Sequence, residues 1–547
     1  MMKKIFNAYY MAYFLKKYVY RIILVSLLGT IVSILMLYQP KYIGEILNQY
    51  YNISGRTILY FLGLTISLFV ASSIKFYISK SIAEGIALDL REKFFGKLLY
   101  TSVEKISEKN SGEIISTLSN DINVIRDAIG ADFFDIFEGV VLFCGSIYFL
   151  IMINYKLFIY TALLFVVIIV FSFMSSVVLK KVISQQQRIL AEYVSFIEKF
   201  FQKIIIIKSF WLIDKLKKNS ERLSSEIYKV GLKNAKVRSI IMTMNSLIFQ
   251  IGIIVVVLLA GLDVNNGDMK LSDLAQFVIY ATFLTTPISI IANTVVAINV
   301  ILAARERILN VYNKLDYYEK RKELAVTNVL ESENIIEVSD VSFSYGENTI
   351  FDKYSIAFKK NKINLIVGES GVGKTTLVRL LMNLYRVNNG RILIKGNNIY
   401  EYSPKYLRTK IFSYVPQESI EWGDSIYDSI TLGEEYESSY IEELVNKLNL
   451  TKCINSLDDG LNTKIGTVMA RLSSGELQRL SILRGIIRKS EILILDEPTA
   501  NLDKENELLI NNLLNKIKNN RTIILISHKE VSRGIADNII ELKRKGD

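Results

Sequence analysis

Between Ile22 and Leu302 the chain returns repeatedly to apolar stretches long enough to cross a bilayer. A lipid core about 30 Å thick takes ~20 mostly apolar helical residues, and it offers no water to an unpaired backbone. Six stretches qualify, centred on Ile22–Leu37, Ile58–Ile74, Gly139–Ile153, Leu157–Leu179, Ile240–Leu262 and Leu274–Leu302. Only Asn154–Lys156 separates the third from the fourth, which predicts a tight helical hairpin. Long polar stretches with helical periodicity separate the second from the third and the fourth from the fifth. Pro287 is expected to kink the sixth.

Basic residues precede the first apolar stretch, as they do in a signal peptide. No small-residue cleavage site follows, so the stretch is expected to stay as a span. Ahead of it aromatics and lysines alternate, the pattern of a helix lying on the membrane surface. Lys3, Lys4, Lys16, Lys17 and Arg21 cluster at the N-terminus. The loop after the second span carries Lys80, Arg91, Lys93, Lys97, Lys105, Lys109 and Arg126, and the loop after the fourth is equally basic from Lys180 to Arg238. The opposite loops hold few, among them Arg56, Lys156 and Lys270. This asymmetry predicts a multi-pass plasma-membrane protein with both termini and both long loops in the cytoplasm. It also absorbs much of the net charge of +12, so nucleic acid is discarded as a partner.

No carboxylate lies well inside a span. One at the centre costs ~2.5–3.5 kcal/mol on insertion scales, so the pattern argues against a proton-coupled carrier. Asn245, Gln250, Gln276, Thr285, Thr286, Asn293 and Asn299 are polar residues in the last two spans, suited to interhelical hydrogen bonds or to lining a substrate path. Cys144 and Cys453 have no metal-ligand spacing and read as small apolar residues.

After Leu302 the apolar runs shorten, and from Ile335 β-branched runs alternate with helical segments, which predicts an α/β domain. The expected organisation is a surface helix over 1–20, a six-helix transmembrane domain over 21–303, a linker over 304–334 and an α/β P-loop ATPase domain over 335–547. In that last part Ile363–Val367 reads as a strand leading into Gly368-x4-Gly373-Lys374-Thr375 and a helix. Glycines let backbone N–H groups wrap phosphate, and the helix N-terminus adds positive potential. Lys374 suits the β- and γ-phosphates, and Thr375 suits Mg²⁺. Downstream, Ile492–Leu495 ends in Asp496 and Glu497, which places one carboxylate for Mg²⁺ and another to polarise a water.

With "RLSSGELQRLSILRGII" between these two motifs, the chain resembles an ATP-binding cassette (ABC) transporter of the exporter type over nearly its full length. The resemblance implies roles for single residues. Tyr345 in "VSFSY" matches the aromatic that stacks on adenine. Gly368, Glu369, Ser370, Gly371, Val372, Gly373, Lys374, Thr375 and Thr376 match the phosphate loop. Gln417 in "YVPQE" matches the glutamine that contacts Mg²⁺ and the attacking water. Ser473 and Gly475, within Leu472–Glu476, match the signature segment that clasps the γ-phosphate on the partner subunit. Asp496 matches the magnesium acid, Glu497 the general base and Asp503 the aspartate at the dimer seam. His528, the one histidine in the chain, matches the histidine that contacts the γ-phosphate after a strand over Ile523–Ser527. Gly112–Ile122 and Ile197–Phe210 resemble the regions of the two coupling helices.

The signature reads Leu-Ser-Ser-Gly-Glu where the family usually has Leu-Ser-Gly-Gly-Gln. Ser474 adds a Cβ and Glu476 a carboxylate near the expected nucleotide. Thr467 stands where exporters often carry a glutamate in a Gly-Glu-Arg-Gly stretch. With one histidine, already matched to the γ-phosphate, no Cys–His peptidase is expected ahead of the spans. Heavy use of Ile, Lys and Asn suits an AT-rich bacterial genome. The resemblance implies an ATP- and Mg²⁺-dependent exporter of a peptide, lipid or amphipathic small molecule. It is expected to act as a homodimer or as a heterodimer with a homologous half-transporter. A nucleotide-gated channel is the alternative, which the full hydrolytic set disfavours.

Overall fold

The structure is a computed structural model that describes residues 2–48, 54–107, 111–130, 133–315, 332–418, 422–468, 472–500 and 502–543. Most of the expected linker, residues 316–331, lies outside these. The chain divides into two compact units. One comprises residues 1–91 and 119–308, the other residues 92–118 and 309–547.

Eleven helices make up the chain before the first strand among the described residues: α1 (Met2–Asn48), α2 (Gly55–Leu99), α3 (Val103–Ser107), α4 (Ser111–Ser116), α5 (Ile122–Gly130), α6 (Ile136–Ile153), α7 (Tyr155–Gln202), α8 (Ile204–Ser209), α9 (Ile213–Asn265), α10 (Leu271–Phe283) and α11 (Thr285–Tyr312). The expected surface helix and first span are one helix, α1. Likewise α2 and α7 run unbroken from apolar stretch into polar stretch, and α9 from polar into apolar, because the polar residues keep helical spacing and no glycine or proline interrupts at the junction.

In the first unit α7 packs along α9, and α1 packs along α6 and α10. The contact with α1 depends on small residues: a Cβ on Gly145 of α6 would lie 2.2 Å from Leu37 Cδ1, and one on Gly44 would meet the Gln276 side chain of α10. Phe149 stacks on Tyr280 at 5.0 Å between ring centroids, and the Tyr280 hydroxyl donates to the Leu37 carbonyl at 2.7 Å. The hairpin between α6 and α7 is tighter than the sequence implies, with Asn154 alone between the helices. Its Oδ1 accepts from the N–H groups of Lys156 and Leu157, and its Nδ2 donates to Asp263 at 3.1 Å.

Among the described residues, five helices are long and apolar enough to cross a membrane by themselves; the sixth stretch is divided between α10 and α11. Proline at 287 has no N–H for the carbonyl of Phe283, where α10 ends. The Leu284 N–H turns back to Ala281, and the Thr285 hydroxyl satisfies the Thr282 carbonyl at 2.7 Å. Asn245 does bond between helices, accepting from Ser172 of α7 at 3.2 Å. Carboxylates stay outside the central apolar stretches, but two of them share one lysine where α6 begins. Lys75 of α2 reaches Asp135 at 2.9 Å and also Glu138, the third residue of α6. The Ser33 hydroxyl of α1 donates to the Glu138 carbonyl at 3.0 Å.

Among its described residues the second unit holds nine strands: β1 (Asn334–Tyr345), β2 (Asn348–Lys359), β3 (Ile363–Val367), β4 (Asn389–Ile394), β5 (Asn397–Asn398), β6 (Phe412–Val415), β7 (Ile492–Asp496), β8 (Thr522–Ile526) and β9 (Asn538–Glu541). An antiparallel sheet runs β2-β1-β4-β5, and a parallel sheet runs β6-β7-β8-β3-β9. Strands β3, β7 and β8 are buried at every residue. That is why their sequences are mostly apolar runs rather than alternating ones, with the buried Asn364 of β3 hydrogen-bonded to the carbonyls of Lys359 and Lys362. The strand before His528 stops at Ile526, one residue short of the expected Ser527. In the coupling-helix regions the chain forms α4 followed by a π-helical turn over Thr117–Asp121, and the separate short helix α8.

Candidate functional site

Parallel strands deliver their carboxyl ends to one edge, where an open α/β sheet binds ligands. Between β3 and the helix Lys374–Leu381 the chain wraps through Gly368 (φ +156°), Gly371 (φ +81°) and Gly373 (φ +108°). A Cβ on Gly368 would lie 2.7 Å from the Leu542 carbonyl, and one on Gly373 would lie 2.6 Å from Ile350. Only glycine satisfies both the dihedral and the space at these two positions. Lys374 folds back over the loop, its Nζ 2.9 Å from the carbonyls of Gly368 and Glu369. Burial lowers its pKa from the ordinary lysine value, against the pull of Glu497 and Asp496. A phosphate bound in the loop would favour this ammonium in its charged form.

Asp496 ends β7. Its Oδ2 accepts from the Thr375 hydroxyl and from the Tyr414 hydroxyl of β6, each at 3.3 Å. Burial raises its pKa above the usual carboxylate range, partly offset by these two donors. The hydroxyl of Thr375, the carboxylate of Asp496 and the carboxamide of Gln417 are hard oxygen donors of the kind that Mg²⁺ takes. They fit the ion in chemistry, with Thr375 and Asp496 already in contact.

The next residue, Glu497, has φ +48°, a left-handed conformation uncommon for a side chain of this size. Its N–H donates to the Ile526 carbonyl at 2.9 Å, which continues the β7–β8 pairing past the strand end. This turns the carboxylate to the ligand edge. There Oε2 accepts from Gln417 Nε2 at 3.0 Å, and Oε1 lies 3.5 Å from His528 Nε2. The structure thus brings together Gln417, Glu497 and His528 on one side and Lys374, Thr375 and Asp496 on the other. Tyr345, the last residue of β1, sits edge-on to Phe343 and Tyr385, and its hydroxyl accepts from Arg379 at 3.4 Å.

Ser473 and Gly475 are not brought to the loop: among the described residues no hydrogen bond links them to it. Ser473 caps the helix Ser474–Ile487 in a capping box with Glu476, whose carboxylate accepts the Ser473 N–H and hydroxyl at 2.8 Å each. The departure at Glu476 therefore has a local structural use. Asp503 caps the helix Lys504–Ile517, accepting from the Asn506 N–H at 2.8 Å. Tyr414 was not expected at the site. Its place in "SYVPQ", three residues before Gln417 on a strand beside β7, is the signal that points to it.

Residues 19–288 match the family model for the ABC transporter transmembrane region, and residues 351–500 match that for the ABC transporter. A relative in Rickettsia typhi, named as an export ATP-binding/permease protein, is 30% identical over 505 residues, covering 90% of this chain and 85% of its own. A Staphylococcus aureus protein named as a multidrug export ATP-binding/permease protein is 26% identical over 545 residues, covering 97% and 94%. Among solved structures, a bacterial Atm1-family ABC exporter with ATP bound shares the fold, with a TM-score of 0.74 at 19% identity, covering 97% of this chain and 95% of that one.

Proposed function

The chain belongs to the ABC transporter family, with membrane and ATP-binding parts fused in one polypeptide, and on that basis we propose that it is an ATP-driven exporter working as a dimer. The observation that carries this reading is the Glu497 carboxylate held between Gln417 and His528 beside the phosphate loop.

Each residue then has a task. Loop N–H groups and the end of the helix Lys374–Leu381 bind the phosphates, and Lys374 leaves its carbonyl partners for them. Thr375, Asp496 and Gln417 would hold Mg²⁺, which would supply positive charge against the phosphates. The Glu497 carboxylate takes the proton of the attacking water, while His528 and Gln417 fix its direction and contact the γ-phosphate side. Ser473 and Gly475 act on the nucleotide of the other subunit, which accounts for their absence from this chain's own loop. A homodimer is the simplest assembly. Both termini and the ATP-binding part face the cytoplasm, in line with the basic residues of the long loops. The cargo is a peptide, lipid or amphipathic small molecule.

The test is Mg²⁺-dependent ATP hydrolysis by the purified protein in lipid, compared with Glu497→Gln. Turnover is expected in the wild type and at least a hundredfold less in the variant, with ATP affinity retained. Equal turnover in the two proteins refutes the assignment.

A further inference from the structure

The turn after β8 carries a charged side chain that the mechanism above does not use. Lys529 Nζ donates to the Thr499 carbonyl at 2.7 Å and to Glu507 Oε2 at 3.1 Å. The other Glu507 oxygen accepts from the Thr499 hydroxyl at 3.3 Å. Ser527 Oγ accepts the Lys529 N–H at 3.2 Å and the Ser532 hydroxyl at 2.8 Å, so the backbone of the turn is fixed as well. Three pieces of chain meet here. The first leaves β7 and carries Glu497 two residues before Thr499. The second is the opening turn of the helix Lys504–Ile517, capped by Asp503. The third is the turn that carries His528.

Burial and placement make this more than a surface pair. The Glu507 side chain is 8% exposed and Thr499 is buried. Enclosing a carboxylate costs free energy that its cation and hydrogen bonds must offset. Thr499 is also tied locally, its carbonyl accepting from the Leu502 N–H at 3.3 Å. Movement of Lys529 or Glu507 therefore moves the segment that starts at Glu497. Glu497 holds a left-handed φ that only its surroundings maintain, and 3.5 Å separates it from His528. Reacting groups tolerate little displacement, since a shift of about 1 Å costs on the order of a hundredfold in rate.

We propose that Lys529, acting through Glu507 and Thr499, is a positioning residue for ATP hydrolysis. It clamps the Glu497 segment, the Asp503 cap and the His528 turn into one body, so that a shift at Asp503 reaches Glu497 and His528 together. This rests on the reading of Glu497 as the base. The hydrogen bonds of Lys529 and Glu507 go to protein groups, not to the loop that takes the phosphates.

The experiment measures ATPase rate against ATP concentration for the full-length protein in lipid, with Lys529→Met, Lys529→Arg, Glu507→Gln and the Met/Gln double variant. Lys529→Met is expected to lower kcat about tenfold to a hundredfold, with the KM for ATP within about twofold of wild type. Lys529→Arg is expected to recover most of the rate, because a guanidinium can reach both acceptors. Glu507→Gln is expected to match Lys529→Met, and the double variant to be no slower than either, as for two parts of one unit. An unchanged kcat in Lys529→Met overturns the proposal. So does a loss that appears only as fewer ATP-binding sites at normal kcat per site, or one that arginine does not rescue. Glu497→Gln in the same assay tests the underlying reading separately: if it turns over normally, that reading falls and the positioning role falls with it.

Discussion

Lys75 offers the sharpest test of how the membrane part holds together. Its side chain is 11% exposed, and those of Glu138 and Asp135 are 13% and 27% exposed. One ammonium serves two carboxylates at the meeting of α1, α2 and α6. Lys75→Met removes the cation and leaves two carboxylates side by side. Breaking a buried pair from one side costs ~3–5 kcal/mol. Asp135 is partly solvated, so about 3 kcal/mol is the fitting figure, equivalent to roughly a hundredfold in the unfolding equilibrium. Equilibrium unfolding in mixed micelles, followed by loss of helical circular dichroism, reads this directly. The triple variant Lys75→Met/Asp135→Asn/Glu138→Gln is expected to recover to within about 1 kcal/mol of wild type, since no charge is then left unpaired. A Lys75→Met protein as stable as wild type, or a triple variant less stable than the single one, refutes the reasoning.

Two further outcomes concern the ATP-binding part. His528→Ala is expected to keep ATP affinity within about threefold and to lose on the order of a hundredfold in kcat, measured by ATPase kinetics with ATP-binding titration. Asp537 tests the link between charge and stability. Burial alone would push its pKa up, but the Ile363 N–H at 2.9 Å and Lys518 at 3.0 Å hold it below the ordinary carboxylate value of 3.8. A depressed folded pKa adds stability that is present above the unfolded pKa and is lost as pH falls through the folded one. Asp537→Asn is therefore expected to cost about 1 kcal/mol at neutral pH in denaturant titration, with the gap to wild type closing as pH falls below the ordinary carboxylate value.

The spans and the phosphate loop were legible in the sequence because each is a local pattern. An apolar run of bilayer length, or glycines fixed one turn ahead of Lys374, carries its physical reason within a few residues. Pro287 announced a distortion, and its missing N–H determined that α10 stops at Phe283. The capping box of Ser473 and Glu476 is local too, three residues apart, but the family resemblance assigns these residues to the nucleotide and not to a cap. What stayed hidden depends on residues far apart in the chain. Lys75 finds Asp135 and Glu138 about sixty residues on, and Lys529 finds Thr499 and Glu507 across a strand and a helix. Tyr414 reaches Asp496 only because β6 pairs with β7 in one register. The left-handed backbone at Glu497 was likewise unreadable, because no glycine marks it.

In the proposed mechanism the Glu497 carboxylate, held by Gln417 and His528, performs the proton transfer that drives the exporter. The most direct measurement is the chemical identity of the nucleotide retained by Glu497→Gln after incubation with labelled ATP and Mg²⁺ and rapid removal of free ligand. Intact ATP is expected, at up to two per dimer, with no ADP beyond the starting impurity. Recovery of the retained label mainly as ADP would mean that the bond is cut without this carboxylate, and would contradict the account.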